Sequence, residues 1–385
     1  MARKIIYPCL CLLFMLGCIS RKSNNPDFSI LRIDFSETSQ SVRTSEIASA
    51  VQLIPLYTDD DNLIGEIRKI RYGDNCIYVS DETSLYRFAM DGSLIGKISK
   101  RGLGPGEYIG LSDFQIDADD MIWILSRNNK KLNKYGWDNE MKESISLDWW
   151  VSHICLDDND NIYLYIGNEA ENINSRLISF NLKSKQIIQE YLPIDPKQAM
   201  YLHIQTSYHF SKENNTIYFF ESFNDTIYTL TEKDITPAYY LNLDNKNIPP
   251  SFFDANFNDV MEFFQALFKN SYAYSNSLFE KHGNTLISSF IYNRKKHLCV
   301  IDEEKTLMYS FLSMIEDREL GGFPVDIAEL HISTHNNKLI FPLLSYKIVE
   351  YAKENLSADK TQEIIRKLNY VTEDQNPVIM IVEIK

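Results

Sequence analysis

A polar turn followed by two or three strand-forming residues recurs six times along this chain: "GDNCIYV" (73–79), "ADDMIWI" (118–124), "NDNIYLY" (159–165), "NNTIYFF" (214–220), "GNTLISS" (283–289) and "NNKLIFP" (336–342). Anchored on their first apolar residues, Ile77, Ile122, Ile162, Ile217, Leu286 and Leu339, the runs are spaced 45, 40, 55, 69 and 53 residues apart. The shorter intervals match the roughly 40–50 residue period of propeller blades. Each unit reads as four short strands. In the second, "SDFQID" alternates, "DADD" turns, "MIWILS" is apolar, "RNNK" turns, and "KLNKYGW" and "KESISL" follow. Asn, Asp and Gly supply turn geometry while Ile, Tyr, Phe, Trp and Val fill strands. The pattern predicts an all-β chain, a six-bladed β-propeller with short helical insertions. Two stacked β-domains would need a linker, and no Pro/Gly/Ser-rich linker separates the units.

Two stretches change period. "DANFNDVMEFFQALFKN" (254–270) spaces Phe257, Val260, Met261, Phe264, Leu267 and Phe268 as one helical face, and "SADKTQEIIRKLNY" (357–370) does so with Ile364, Ile365 and Leu368. Both read as insertions in the propeller rather than domains. Closure of a ring needs both chain ends in one blade, which "VQLIPLY" (51–57) and "VIMIVEIK" (378–385) can supply.

The amino terminus stands apart. Arg3 and Lys4 precede an apolar run of twelve, "IIYPCLCLLFML", too short for a bilayer span of about 20 residues. "LGC" follows at once, the pattern of a lipobox in which Cys18 becomes the lipidated first residue, with an ordinary signal peptide as the alternative. The expected organisation is a leader over 1–17, an N-terminal tether and first strand region over 18–49, and the propeller over 50–385. Net charge is −14, and loss of Arg3 and Lys4 with the leader makes it −16. Such acidity argues against nucleic acid and against electrostatic docking on anionic lipid, so membrane attachment rests on the lipid alone. Beyond Cys18, Cys76, Cys155 and Cys299 lie far apart in apolar stretches, as buried free thiols would, with no CxxC spacing for zinc.

With "LIPL" (53–56), "LIGEIRKI" (63–70), "RGLGPGEY" (101–108), "FNDTIYTL" (223–230) and "NPVIMIVEIK" (376–385), the chain resembles the bacterial lipoproteins called six-bladed β-propeller proteins, related to NHL-type propellers. The resemblance implies the fold and lipoprotein status; it implies no reaction.

"RGLGPGEYIG" (101–110) then joins the outer strand of one unit, "SLIGKIS", to the inner strand of the next, "SDFQID". A phosphate loop would need a following helix and a Lys-Ser/Thr pair, and a strand follows instead. The glycines permit positive φ and close backbone approach while Pro105 stiffens the bend. Inter-blade connections and second-to-third strand loops share one end of a propeller, and here those connections are the long, chemically rich ones. The candidate ligand contacts are therefore Arg101, Glu107, Tyr108, Trp149, Trp150, His153, Tyr201 and His203 at that end. Trp149 and Trp150 suit stacking or blade packing, and the histidine spacing is no metal motif. "DDNDN" (157–161) lacks the Asp-x-Asp-x-Asp-Gly pattern of a calcium loop and reads as a hairpin turn. No Gly-x-Ser-x-Gly, His-Glu-x-x-His or Cys-His arrangement is present, so the sequence offers no catalytic motif and leans away from an enzyme; neither metal nor cofactor is expected. The expectation is a lipid-anchored outer-membrane protein facing the periplasm that binds a ligand or envelope protein, such as a glycan or peptide, through its loop-rich face. The alternative is a hydrolase or lyase acting on a glycan or lactone at the channel mouth.

Overall fold

A computed structural model describes residues 28–73, 75–167, 172–194, 208–304, 306–328 and 331–385. Six antiparallel sheets of four strands follow one another along the chain. Sheet I comprises Lys69–Tyr72, Cys76–Ser80, Leu85–Ala89 and Leu94–Ile98; sheet II Asp113–Ile116, Ile122–Ser126, Lys131–Tyr135 and Met141–Ser146; sheet III His153–Leu156, Asn161–Tyr165, Ser175–Asn181 and Gln186–Pro193. Sheet IV comprises Phe210–Glu213, Thr216–Phe219, Thr226–Leu230 and Ile235–Leu243; sheet V Tyr274–His282, Thr285–Tyr292, Lys295–Asp302 and Thr306–Phe311. Sheet VI takes Ser333–His335, Lys338–Leu343 and Val378–Ile384 from the carboxyl end and Ala48–Pro55 from the amino end, with Pro55 opposite Val378.

The six anchor residues of the sequence repeat all lie in second strands, and all are buried. A second strand has neighbours in its own sheet on both edges and apolar cores on both faces, which is why "IWILS" and "NIYLY" are buried throughout rather than alternating. Six apolar cores result, each shared by two successive sheets. Tyr78 and Leu85 meet Phe114 and Ile124 between I and II, Leu125 meets Ile154 between II and III, and Tyr165 meets Phe219 between III and IV. Tyr239 meets Phe279 between IV and V, Val300 meets Val382 between V and VI, and Ile381 meets Ile77 between VI and I. Cys76, Cys155 and Cys299 are buried within these cores as free thiols.

The first-to-second turns carry their left-handed residue on Asp, Asn or Gly: Asp120 (φ 58°), Asp160 (φ 58°), Asn214 (φ 51°), Gly283 (φ 55°) and Asn336 (φ 56°). Asp157 Oδ1 accepts from the N–H groups of Asn159 (2.7 Å) and Asn161 (3.0 Å), so the acidic run 157–161 is a self-bonded hairpin turn.

The insertions are largely helical. Pro250–Asp254 forms a 3-10 turn and Val260–Lys269 an α-helix, capped by Asp259, whose carboxylate accepts from Glu262 N (2.8 Å). Between the second and third strands of sheet VI stand two helices. Ala358–Lys367 matches the predicted stretch, and Ser345–Asn355 was not anticipated. The amino-terminal segment is also more structured than a tether. Ser29–Ile33 adds a parallel fifth strand to sheet IV, and Ser39 bridges Phe311 at the edge of sheet V. Val42–Arg43 pairs with Ser313–Glu316 in a small sheet with Phe323–Asp326, after which the chain enters sheet VI. Among the described residues no helix is long and apolar enough to cross a membrane.

Candidate functional site

The first strands of the six sheets face one another, and polar groups link each to the next. Lys69 Nζ pairs with Asp113 Oδ1 between sheets I and II. Asp113 Oδ2 accepts from Ile154 N (2.9 Å) and Gln115 Nε2 donates to Ile154 O (2.7 Å), joining II to III. The rings of His153 and His209 meet edge to face at 4.7 Å between III and IV. Ser211 Oγ donates to Glu280 Oε2 (3.1 Å), Thr334 Oγ1 to the same oxygen (3.5 Å), and Ser333 Oγ to Ile70 O (2.8 Å), which carries the chain of contacts through V and VI back to I.

One end of this axis is filled. Tyr208, just ahead of sheet IV, reaches across to sheet I, where its hydroxyl donates to Ile70 O (3.0 Å) and accepts from Ile70 N (3.3 Å). Lys69 Nζ lies 5.4 Å from the Tyr208 ring centroid. Burial holds the Lys69 ammonium down to about 8 despite its Asp113 partner, and holds His209 down to about 4, so that His209 is neutral. His209 Nδ1 is 2.9 Å from Phe220 O.

The other end is open. A cavity of about 960 Å³ is walled by Arg71, Gln115, Cys155, Ser211, Glu280 and Thr334, one residue from each sheet. Its rim is made of the first-to-second turns, including Asp117, Asp119, Asp157 and Asp158. Two rim cations are paired: Lys134 with Asp117 (2.7 Å) and Lys212 with Asp158 (2.7 Å). The carboxyl of Glu280 is pushed up by burial to about 8, so at neutral pH it is mostly protonated. Among the described residues no group of three or more His, Cys, Asp or Glu side chains is arranged to hold a metal.

Of the residues anticipated from sequence, Arg101, Glu107, Tyr108, Trp149, Trp150 and His153 line none of this cavity. Tyr108 is a correction: it is fully buried between sheets I and II, its hydroxyl donating to Thr83 O (2.7 Å), so it is core rather than ligand surface. Glu107 turns into its own loop and accepts from Gly104 N (2.7 Å); it is not ion-paired with the exposed Arg101. A Cβ on Gly102 would meet the Glu107 carboxylate at 1.9 Å, so a larger residue there would push that side chain off Gly104 N. Trp149 packs on the core between sheets II and III, and Trp150 lies under Lys130 (4.6 Å) and Arg127 (5.7 Å). His153 is buried against His209. Tyr201, His203 and Cys18 lie outside the described residues. Sequence reading missed Arg71, Gln115, Ser211 and Glu280. Their signal is the polar residue at every second position of a first strand, as in "KIRY" and "DFQI".

Fold and site together define a propeller-like β protein with a polar cavity where its first strands meet. The chain belongs to the family described as a domain of unknown function, DUF4934, whose model matches residues 30–383. No curated protein matches it. An exported protein of Bacteroides fragilis has a similar structure, with a TM-score of 0.71 at 18% identity over 93% of this chain and 100% of that one. A DUF4221 member from Bacteroides vulgatus follows at 0.51 and 12% identity, over 88% and 97%. At these identities the likeness concerns the fold alone.

Proposed function

We propose that the six sheets are the blades of a closed six-bladed β-propeller, and that the protein is a binding module taking a small polar ligand into the cavity at its turn end. The observation that carries this reading is the convergence of one wall residue from each sheet on a volume of about 960 Å³. That is the size of a small-molecule site, and polar groups converging on a concave surface are what fix a ligand's orientation. The site is thereby moved from the connection end to the turn end, where short turns leave the axis accessible. The test is a thermal-shift and calorimetric screen of amino acids, short peptides and saccharides. Ligands of the wild type are expected to be lost in Ala118→Trp/Thr334→Trp, which fills the cavity from rim and wall. Ligands that bind this variant unchanged would put the site elsewhere.

We also propose an envelope location with Cys18 as lipid anchor, on the outer membrane and facing the periplasm. The "LGC" pattern and the exported relative support it. A clickable fatty acid is expected to label the wild type and not Cys18→Ser; equal label in both refutes the anchor.

A further inference from the structure

We propose that the ligand carries a single carboxylate, bound by Arg71, and an uncharged or cationic remainder that faces the acidic rim; this rests on the cavity being the binding site. Among the described cations at the cavity, Arg71 is the one without a carboxylate partner. Lys134, Lys212 and Lys69 each have a carboxylate partner. Among the described residues no carboxylate oxygen lies within ion-pair distance of Arg71, and its buried Nε has no hydrogen-bond partner. A buried donor without an acceptor carries a free-energy cost that a ligand acceptor removes. The guanidinium carbon lies 5.9 Å from the centroid of the Phe114 ring.

The surroundings select the charge of the ligand. Glu280, the acid in the wall, is satisfied by the hydroxyls of Ser211 and Thr334 and holds its proton at neutral pH, so it does not compensate Arg71. The potential therefore runs from positive at the wall to negative at the rim, where among the described residues no lysine pairs with Asp119 or Asp157. Arg presents two parallel N–H groups at carboxylate spacing, which gives strength and direction together. A polyphosphate would pass the acidic rim with several charges and meet one guanidinium, so the gradient disfavours it. A carboxylate on an amino acid or peptide terminus, or on an acidic sugar, meets both ends of the gradient. Gln115 and the Ser211 and Thr334 hydroxyls supply further polar contacts along the wall.

The mature chain would be titrated calorimetrically with matched pairs: trialanine and its C-terminal amide, glucuronate and glucose, with inorganic phosphate alongside. The acid of at least one pair is expected to bind at least tenfold more tightly than its neutral partner. Arg71→Gln should weaken that acid about 30-fold or more, as loss of a charged hydrogen bond does. Arg71→Lys, which keeps charge but not the fork, should fall between, and it serves if the Gln variant does not fold. The pair that responds identifies the source of the carboxylate. Neutral partners binding as tightly as acids, acid binding that survives Arg71→Gln, phosphate outcompeting both acids, or no binding within either pair overturns the proposal. The filled-cavity variant keeps this failure apart from that of the binding reading. Neutral ligands lost in Ala118→Trp/Thr334→Trp leave the cavity as the site and remove only the carboxylate.

Discussion

Replacing Glu280 by Gln isolates the cost of holding an acid in the cavity wall. Burial pushes this carboxyl from 4.5 up to about 8, while the Ser211 and Thr334 hydroxyls, the Asn336 backbone and the field of Arg71 oppose the shift. The unfolded chain releases the proton near the lower value and the folded chain near the upper one. Between them the folded state holds the extra proton, so stability falls as pH rises through that window. Each pH unit is worth at most about 1.4 kcal/mol, which bounds the total loss at about 4–5 kcal/mol. Water reaching an open cavity lowers this, and about 2 kcal/mol is the expected loss. His209, held down to about 4, acts in the opposite sense. Its contribution is lost as pH falls from 6.5 toward 4, so the wild-type profile is a sum of both slopes. Urea unfolding of wild type and Glu280→Gln from about pH 5 to pH 9 cancels the His209 part. The variant should match the wild type near pH 5 and exceed it by about 2 kcal/mol near pH 9, the gap opening within the window. A gap that does not change with pH refutes the reasoning.

Arg176 and Glu221 form a buried bidentate pair (2.8 and 3.2 Å) to which Tyr165 also donates (3.3 Å). Arg176→Met should cost about 3–5 kcal/mol in denaturant unfolding, and Glu221→Gln in the same chain should recover part of it. Ile33, 1% exposed and paired with Leu243, anchors the added strand on sheet IV. Ile33→Ala should cost about 2–4 kcal/mol and speed proteolysis within residues 28–47. Gly102→Ala should cost about 1–2 kcal/mol by displacing the Glu107 carboxylate from Gly104 N, and should be nearly neutral in a Glu107→Ala background. Additive effects of the two changes would show that they do not meet.

The second strands were legible because apolar cores cover both their faces, which leaves unbroken runs such as "MIWIL" between turn residues. The pairing of the two chain ends in one sheet was legible because "VIMIVEI" is buried almost throughout and needs a partner on its free edge, which Ala48–Pro55 supplies. The helix Ser345–Asn355 was not, since it leaves the strand Lys338–Leu343 through Leu344, an N-cap without a side-chain bond. The added strand "SILRI" is five residues long and buries Leu31 and Ile33, too little for a period to register. Site reasoning favoured chemically rich loops, yet Tyr108 shows a loop aromatic serving as core. The axial groups gave a weaker signal. Arg71, Gln115 and Ser211 sit in strands of four residues, where two alternating polar positions resemble any exposed edge.

The pairing of Ala48–Pro55 with Val378–Ile384 also fixes an order of assembly. A ribosome delivers residues 48–55 among the first and 378–384 among the last. Until synthesis is nearly complete, the outer strand of sheet VI has no edge to join, and the second and third strands of that sheet are still missing. Sheets I to III can close on local hairpins as they emerge, since each is contiguous in sequence. The face of sheet I that packs on sheet VI waits, with Ile77 and Val79 uncovered. Pairing over so long a stretch of chain is slow, and until it happens an unpaired strand edge is open to other strands. A chain cut short of residue 378 would therefore leave sheet VI without both its third strand and the edge that Ala48–Pro55 joins.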